Sequence, residues 1–233
     1  MLTQRVAKYI ADLLPMHCEV CHLPLDKPFP QSGICVHCAR YFAPTARCQR
    51  CGLPAPYKVE ECGQCLKQPP KWQRLYCVAD YQPPLSQYVH RLKYERQFWQ
   101  ANKLARLLTP RIETPAQLIT YVPLHWGRYL QRGFNQSELI AISLARQLDL
   151  PCKPIFRRIR ATPQQLGLTK AERRRNLRLA FTLNREVYVE HVAIVDDVLT
   201  TGSTVQHLCE LLLEAGVKNV DIYCICRTPE PAS

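Results

Sequence analysis

Two adjacent acids and a run of small hydroxyl residues stand out in the segment VAIVDDVLTTGST at 192–204. Asp196 and Asp197 follow the apolar run 192–195 directly, and carboxylates accept hydrogen bonds from hydroxyl groups such as those of a ribose. The residues of the next loop can turn backbone N–H groups and hydroxyls toward one anion: Thr200, Thr201, Gly202, Ser203 and Thr204. The segment therefore predicts a sugar-phosphate site, with the sugar hydroxyls at the acids and the phosphate on the loop.

Four CxxC pairs in the first 65 residues have the spacing of metal ligands. The eight sulfurs belong to Cys18, Cys21, Cys35, Cys38, Cys48, Cys51, Cys62 and Cys65. Two such turns complete a tetrahedral Zn²⁺ site, so the pattern predicts two structural zinc ions. Grouping the pairs in sequential order is preferred because it closes shorter loops, and a cross-braced grouping is the alternative. Disulfides are disfavoured because the start of the chain does not have the pattern of a signal peptide.

Charge points to a phosphate-bearing partner. The formal net charge is +12, and residues 157–178 contain eight Lys or Arg with one acid. Such a surface suits a phosphate-rich ligand or a nucleic acid. The sequence has no apolar run long enough to cross a bilayer, so we expect a cytoplasmic protein without membrane insertion.

The elements that must position these groups alternate between strand and helix after residue 70. Apolar patterns predict strands at 75–81, 118–124, 192–195 and 217–226, and helices at 84–94, 98–108, 136–148 and 205–215. This alternation predicts an α/β domain over 71–233, with a parallel sheet and helices on both faces, after a cysteine-rich domain over 1–70. Ligands of such sheets bind beyond the carboxyl ends of the strands, which is where the two acids are predicted to lie.

Three sequence segments and the four CxxC pairs, taken together, resemble one known family. The segment at 192–204 is similar to the phosphoribosyl pyrophosphate (PRPP) motif of type I phosphoribosyltransferases. The stretches VPLHWGRYLQRGFNQSELIA at 122–141 and RIRATPQQLGLTKAERRRNLRLAF at 158–181 narrow the match. With the four CxxC pairs, they make the chain similar over nearly its whole length to the ComF/GntX family of competence and DNA-utilisation proteins. That family joins a double zinc ribbon to a type I phosphoribosyltransferase-like domain.

The resemblance implies a ligand and roles for particular residues. PRPP or another ribose 5-phosphate would bind with Mg²⁺ on its pyrophosphate and its 5-phosphate on the loop 200–204. Asp196 and Asp197 would hold the ribose hydroxyls and, as candidate catalytic groups, stabilise positive charge on the ribose. The candidates for contacting pyrophosphate, directly or from a flap over the ligand, are Lys93, Arg128, Arg132, Arg173 and Arg174.

Three functions are compatible with these features. The first, which the intact acidic pair and the complete hydroxyl loop favour, is a protein for the use or uptake of extracellular DNA that retains a site for PRPP or ribose 5-phosphate, with or without phosphoribosyl transfer. The second is a non-catalytic accessory that binds single-stranded DNA, a helicase or DNA-uptake proteins. The third is a regulator that responds to PRPP. The sequence leaves open the acceptor, turnover, the oligomeric state and the DNA-binding surface.

Overall fold

The computed structural model describes residues 16–27, 33–159 and 180–228. The chain forms two compact units, which span 1–43 and 44–233. The sequence predicted a domain boundary at residue 70. Because the compact units divide after residue 43, the third and fourth CxxC pairs fall in the larger unit. Each unit is described below by itself.

The smaller unit is built on tight turns. The N–H of His22 donates to the carbonyl of Cys18 at 2.8 Å, which closes the first CxxC turn. Helix α1 (Val36–Ala39) leads into a 3₁₀ turn, Arg40–Phe42. In the described part of this unit, the buried apolar side chains other than cysteine are Leu25, Ile34 and Phe42. So little apolar burial suits a unit that a bound metal helps to stabilise.

The larger unit contains every strand that the structure describes. The strands are β1 (Arg74–Asp80), β2 (Leu118–Tyr121), β3 (Phe156–Arg158), β4 (Phe181–Leu183), β5 (His191–Leu199) and β6 (Asn219–Arg227). The helices are α2 (Gly63–Lys67), α3 (Leu85–Tyr94), α4 (Gln100–Leu108), α5 (Trp126–Arg132), α6 (Gln136–Leu148) and α7 (Ser203–Glu214). A 3₁₀ turn, Thr109–Arg111, follows α4. Across the described residues, no helix has the length and apolar character needed to cross a membrane.

Four strands form a parallel sheet in the order β1-β6-β5-β2. Strand β6 is buried at every residue after Asn219, as expected for a central strand covered on both faces. On one face, Leu208 and Leu212 of α7 join the core formed with Val192, Ile194 and Ile222. Helices α3, α4 and α6 contact strands of the sheet and cover its other face. Strands β3 and β4 form a separate antiparallel pair.

Helix α4 shows how the sequence pattern produces this layer. Its buried apolar side chains are Ala101, Leu104, Ala105 and Leu108, at the i, i+3, i+4 and i+7 spacing of one helix face. The predicted fold class is confirmed. The chain has a parallel sheet with helices on both faces, and the cysteine clusters precede this sheet in the sequence.

The bounds of single elements were predicted unevenly. Helix α6 has its predicted bounds, and the side chain of Asn135 caps it by accepting from the N–H of Ser137 at 3.0 Å. The strand predicted at 192–195 is longer, because its backbone stays paired with β6 as far as Leu199. Helix α5 and the pair β3–β4 were not predicted, since short elements have too few residues to show a periodic pattern.

Candidate functional site

The two adjacent acids lie within β5, near its carboxyl end. We expected them just after the strand, but Asp196 is paired with Cys224 of β6 in the parallel ladder. One carboxylate oxygen of Asp196 accepts from the N–H of Asp197 at 2.9 Å and from the hydroxyl of Ser137 at 3.1 Å. Asp197 is only 4% exposed, whereas Asp196 is half-buried. The sheet therefore holds two crowded carboxylates at a fixed position.

Lys93 of α3 neutralises one of these charges. Its Nζ lies 2.9 Å from a carboxylate oxygen of Asp197. Burial alone would lower the pKa of Lys93, but the charge and hydrogen bond of Asp197 outweigh burial and raise it. Burial, and then the negative charge of Asp197, raises the pKa of Asp196 to about 7. Around neutral pH, one acid is thus paired with a lysine while the other can exchange a proton.

A cleft of about 290 Å³ opens beside the acids. Six residues singled out in the sequence line it: Lys93, Arg128, Arg132, Asp196, Asp197 and Thr204. The Arg132 side chain also donates to Gln136 at 3.2 Å, and its guanidinium lies 5.1 Å from the Tyr94 ring centre. The wall is thus cationic around a floor of two acids.

The sequence did not single out Arg158 or Ser137, which also line this cleft. Arg158 ends β3, and its guanidinium lies 5.1 Å from the centre of the Phe181 ring. Burial, and then the charge of Arg128, lowers the pKa of Arg158. The available signals were weak: Arg158 lies in the basic run 157–178, and Ser137 follows the RGFNQ motif.

The hydroxyl loop leads from β5 into α7. Gly202 caps this helix with φ of 73°, a left-handed conformation that favours glycine. The hydroxyl of Thr201 accepts from the N–H of Ser203 at 3.4 Å. Thr200, Thr201 and Ser203 are exposed, and within this loop only Thr204 lines the cleft described above. The other two predicted candidates, Arg173 and Arg174, lie outside the described residues.

All thirteen cysteines are free thiols, and eight of them form two four-sulfur clusters. The clusters group the CxxC pairs in sequential order, and in each one the four sulfurs lie within 4.8 Å of one another. The Sγ–Sγ distances are 3.9 Å for Cys21–Cys35 and 3.7 Å for Cys51–Cys62. Four sulfurs at about 2.3 Å from one ion would stand about 3.8 Å apart, so both clusters fit a tetrahedral metal.

Relatives with known names match most of the chain. The DNA utilization protein YhgH of Escherichia coli O157:H7 is 43% identical over 227 residues, which cover 92% of this chain and 98% of that protein. Competence protein F of Haemophilus influenzae is 36% identical over 210 residues, or 84% of this chain and 91% of that protein. The chain belongs to the ComF/GntX family. The resemblance read from the motifs is confirmed.

A second comparison concerns the carboxyl-terminal part of this ComF/GntX-family chain. The family model "Phosphoribosyl transferase domain" matches residues 135–233, which include the acidic pair and the hydroxyl loop. Among solved structures, the glutamine PRPP amidotransferase of B. subtilis with ADP and GMP is similar over 53% of this chain and 25% of that chain. Its sequence is 22% identical, and the TM-score is 0.40.

Proposed function

We propose that the cleft binds PRPP or another ribose 5-phosphate. One observation carries the proposal: an acidic pair, with Asp197 buried and Asp196 half-buried, faces a cleft walled by cations, and the hydroxyl loop that begins α7 follows the pair in the sequence. A ligand with hydroxyls at its centre and phosphates at both ends is complementary to this order of charges. A simple anion would make no use of the acids, and a neutral sugar would make no use of the arginines.

Each end of the ligand would meet a different set of groups. The 5-phosphate would accept from backbone N–H groups and hydroxyls of residues 200–204, at the positive end of the α7 dipole. The ribose hydroxyls would donate to Asp196 and Asp197. The pyrophosphate would lie against Arg128, Arg132 and Arg158, whose forked donors suit phosphate oxygens.

Mg²⁺ fits this ligand and these residues. With both carboxyls ionised and Lys93 paired to Asp197, the acids keep one net negative charge, and the pyrophosphate of the ligand would supply the further negative charge that a dication needs. When bound with the pyrophosphate, Mg²⁺ would neutralise the oxygens of that leaving group. The protein's own contribution is to orient the ribose and to hold its hydroxyls over the carboxylates.

Zn²⁺ is the metal proposed for both four-sulfur clusters. Four thiolates with sulfur separations near 3.8 Å leave no open coordination position, which is typical of structural zinc. None of the thirteen cysteines, all of which lie in the described residues, is in a disulfide, which fits the reducing conditions of the cytoplasm. We propose that the chain acts there in the use of extracellular DNA, a role consistent with relatives named for DNA utilization and for competence.

Replacing both acids by amides tests the ligand assignment. The double variant Asp196→Asn, Asp197→Asn should bind PRPP more weakly in calorimetry with Mg²⁺, by about 1.5–3 kcal/mol for each hydrogen bond to a charged carboxylate that is lost. Inorganic phosphate, which uses only the loop, should bind as in the parent protein. Glu138→Gln is the matched control, because Glu138 accepts from Tyr121 at 2.7 Å and does not line this cleft.

The opposite result is equally clear. If the acids only stabilised the end of β5, replacing them by amides would leave Lys93 unpaired and able to attract the pyrophosphate. PRPP would then bind as tightly as in the parent protein or more tightly. Unchanged or tighter binding of PRPP in the double variant would overturn the ribose-holding role.

A further inference from the structure

Four successive carbonyls of the third CxxC turn, those of residues 49–52, are fixed from outside the turn. The donors, in order along the turn, are the N–H of Leu75 (2.8 Å), the indole N–H of Trp72 (2.6 Å), Nε of Arg227 (3.0 Å) and Nη1 of Arg47 (2.9 Å). One of these carbonyls belongs to Cys51, which also supplies a sulfur to the second cluster. The backbone of the metal turn and the sheet are thus directly bonded.

Arg227 bonds both this turn and the hydroxyl loop. It is the last residue of β6 and is only 4% exposed. Besides Cys51, its guanidinium donates to the carbonyls of Leu199 at 3.3 Å and Thr228 at 2.7 Å, and also to that of Thr200. Leu199 and Thr200 are where β5 turns into the loop. One buried side chain therefore connects the backbone of a metal ligand with the start of the phosphate loop.

Trp72 makes a second connection of the same kind. Its indole N–H holds the carbonyl of Arg50, and its ring lies against Gly202, where an added Cβ would come within 2.9 Å of it. The next contact reaches α7, since the N–H of Lys71 donates to the Gln206 side chain at 3.0 Å. Because the indole is buried, it cannot move without disturbing its hydrogen bond to Arg50 or its packing against Gly202.

We propose that Arg227 and Trp72 are positioning residues that couple the second four-sulfur cluster to the loop 200–204. A metal bound by Cys48, Cys51, Cys62 and Cys65 fixes the turn, and the two side chains transmit this order to the loop. Loss of the metal releases the carbonyls of Arg50 and Cys51 and loosens the phosphate site. This inference rests on the proposed function, in which that loop holds the 5-phosphate of PRPP.

The coupling makes metal and phosphate binding reciprocal. If metal at the second cluster tightens phosphate binding by some factor, phosphate must tighten metal binding at that cluster by the same factor. We expect a factor of about five to ten, in the lower part of the range for coupled sites. The first cluster belongs to the other compact unit and should not take part.

The test uses the full chain loaded with Zn²⁺ and inorganic phosphate as the probe. Trp72→Phe removes the N–H that holds the turn and shortens the ring that lies against Gly202, so it weakens both contacts. Arg227→Lys keeps the charge but cannot donate at once to Cys51 and to the loop. Both variants keep the eight thiols of the two clusters, so they should bind two ions each and yet bind phosphate about fivefold more weakly. Cys35→Ser, which disrupts the first cluster, should leave phosphate affinity unchanged.

Hydrogen exchange of the loop amides separates this inference from the proposed function. Chelation, or Cys62→Ser, should speed exchange at residues 200–204 whether or not PRPP binds. If exchange responds but neither phosphate nor PRPP binds the parent protein, the coupling stands and the proposed function fails. If both ligands bind, and neither exchange nor affinity responds to the second cluster or to the two variants, the coupling is overturned. An equal loss of phosphate affinity in Cys35→Ser would also overturn it.

Discussion

The two four-cysteine clusters have the same local design but different surroundings. In each, the backbone N–H of the third cysteine donates to the sulfur of the first, at 3.3 Å from Cys35 to Cys18 and at 3.2 Å from Cys62 to Cys48. Both first cysteines are fully buried, at 0% and 1% exposure. The two clusters therefore have the same internal hydrogen bond and the same burial of their first cysteine.

They differ in what the rest of the chain does with them. The first cluster belongs to the small unit 1–43, and the second to the unit that also contains the sheet and the cleft. In that unit, side chains of β1 and β6 hold the second cluster, through Arg47 bonded to Asp80 and through Arg227. The comparison teaches that one four-cysteine pattern can organise a small unit in one place and, in another, be bonded through Arg227 to the start of the hydroxyl loop.

The strongest way to break this comparison is to remove equivalent ligands. Cys48→Ser should destabilise the larger unit by at least about 4 kcal/mol, a fraction of the roughly 10–16 kcal/mol that structural zinc contributes to small domains. For a unit of this size, that loss lowers the Tm by roughly 8–16 °C. Cys18→Ser should leave the main calorimetric transition in place. Equal shifts of that transition in the two variants would show that the clusters are energetically alike.

A smaller loss of stability should distinguish the Arg47–Asp80 ion pair, which attaches the second cluster to the sheet, from an ordinary surface ion pair. The Arg47–Asp80 pair is 2.7 Å long, with side chains 13% and 18% exposed, and Arg47 also holds the carbonyl of Gly52. Arg47→Met should lower the free energy of unfolding by about 2–3 kcal/mol, since it leaves partly buried acceptors without a donor.

The matched control is Lys58→Met, which breaks an exposed pair with Glu113. Those side chains are 56% and 54% exposed, so the expected cost is about 0–1 kcal/mol. Urea unfolding of both variants gives the two numbers. If Arg47→Met cost no more than Lys58→Met, the attachment of the cluster to the sheet would contribute nothing measurable to stability.

The smallest expected effect is a pH dependence of the free energy of unfolding, caused by Asp196 in the larger unit. The pKa of Asp196 is raised from 3.8 to about 7, so the folded ligand-free protein binds a proton that the unfolded chain has already released. Its contribution to stability is full below about pH 4 and is lost as pH rises through about 7. Between pH 6 and 8, the parent protein should lose about 1 kcal/mol more than Asp196→Asn does, measured by urea unfolding. Parallel pH curves for the two proteins would contradict the raised pKa.

The sequence by itself determined the features that depend on neighbouring residues. A CxxC turn brings two sulfurs together within four residues, so the spacing already indicated metal clusters. The alternation of apolar patterns predicted the parallel sheet, and the caps at Asn135 and Gly202 lie beside the helices they begin. The order of acids, glycine and hydroxyls at 196–204 pointed to a sugar phosphate because each group acts through its own chemistry.

Tertiary structure decided which distant groups meet. The pairing of β5 with β6 put the acidic pair inside a strand, and the packing of α3 brought Lys93 to Asp197. Arg227 reaches the carbonyl of Cys51 across 176 positions in the chain. The sequence around Arg227 and the sequence around Cys51 show no pattern that predicts this contact, because it depends on the packing of the whole sheet. For this reason the sequence predicted two similar clusters, and the fold alone bonded one of them to the loop 200–204.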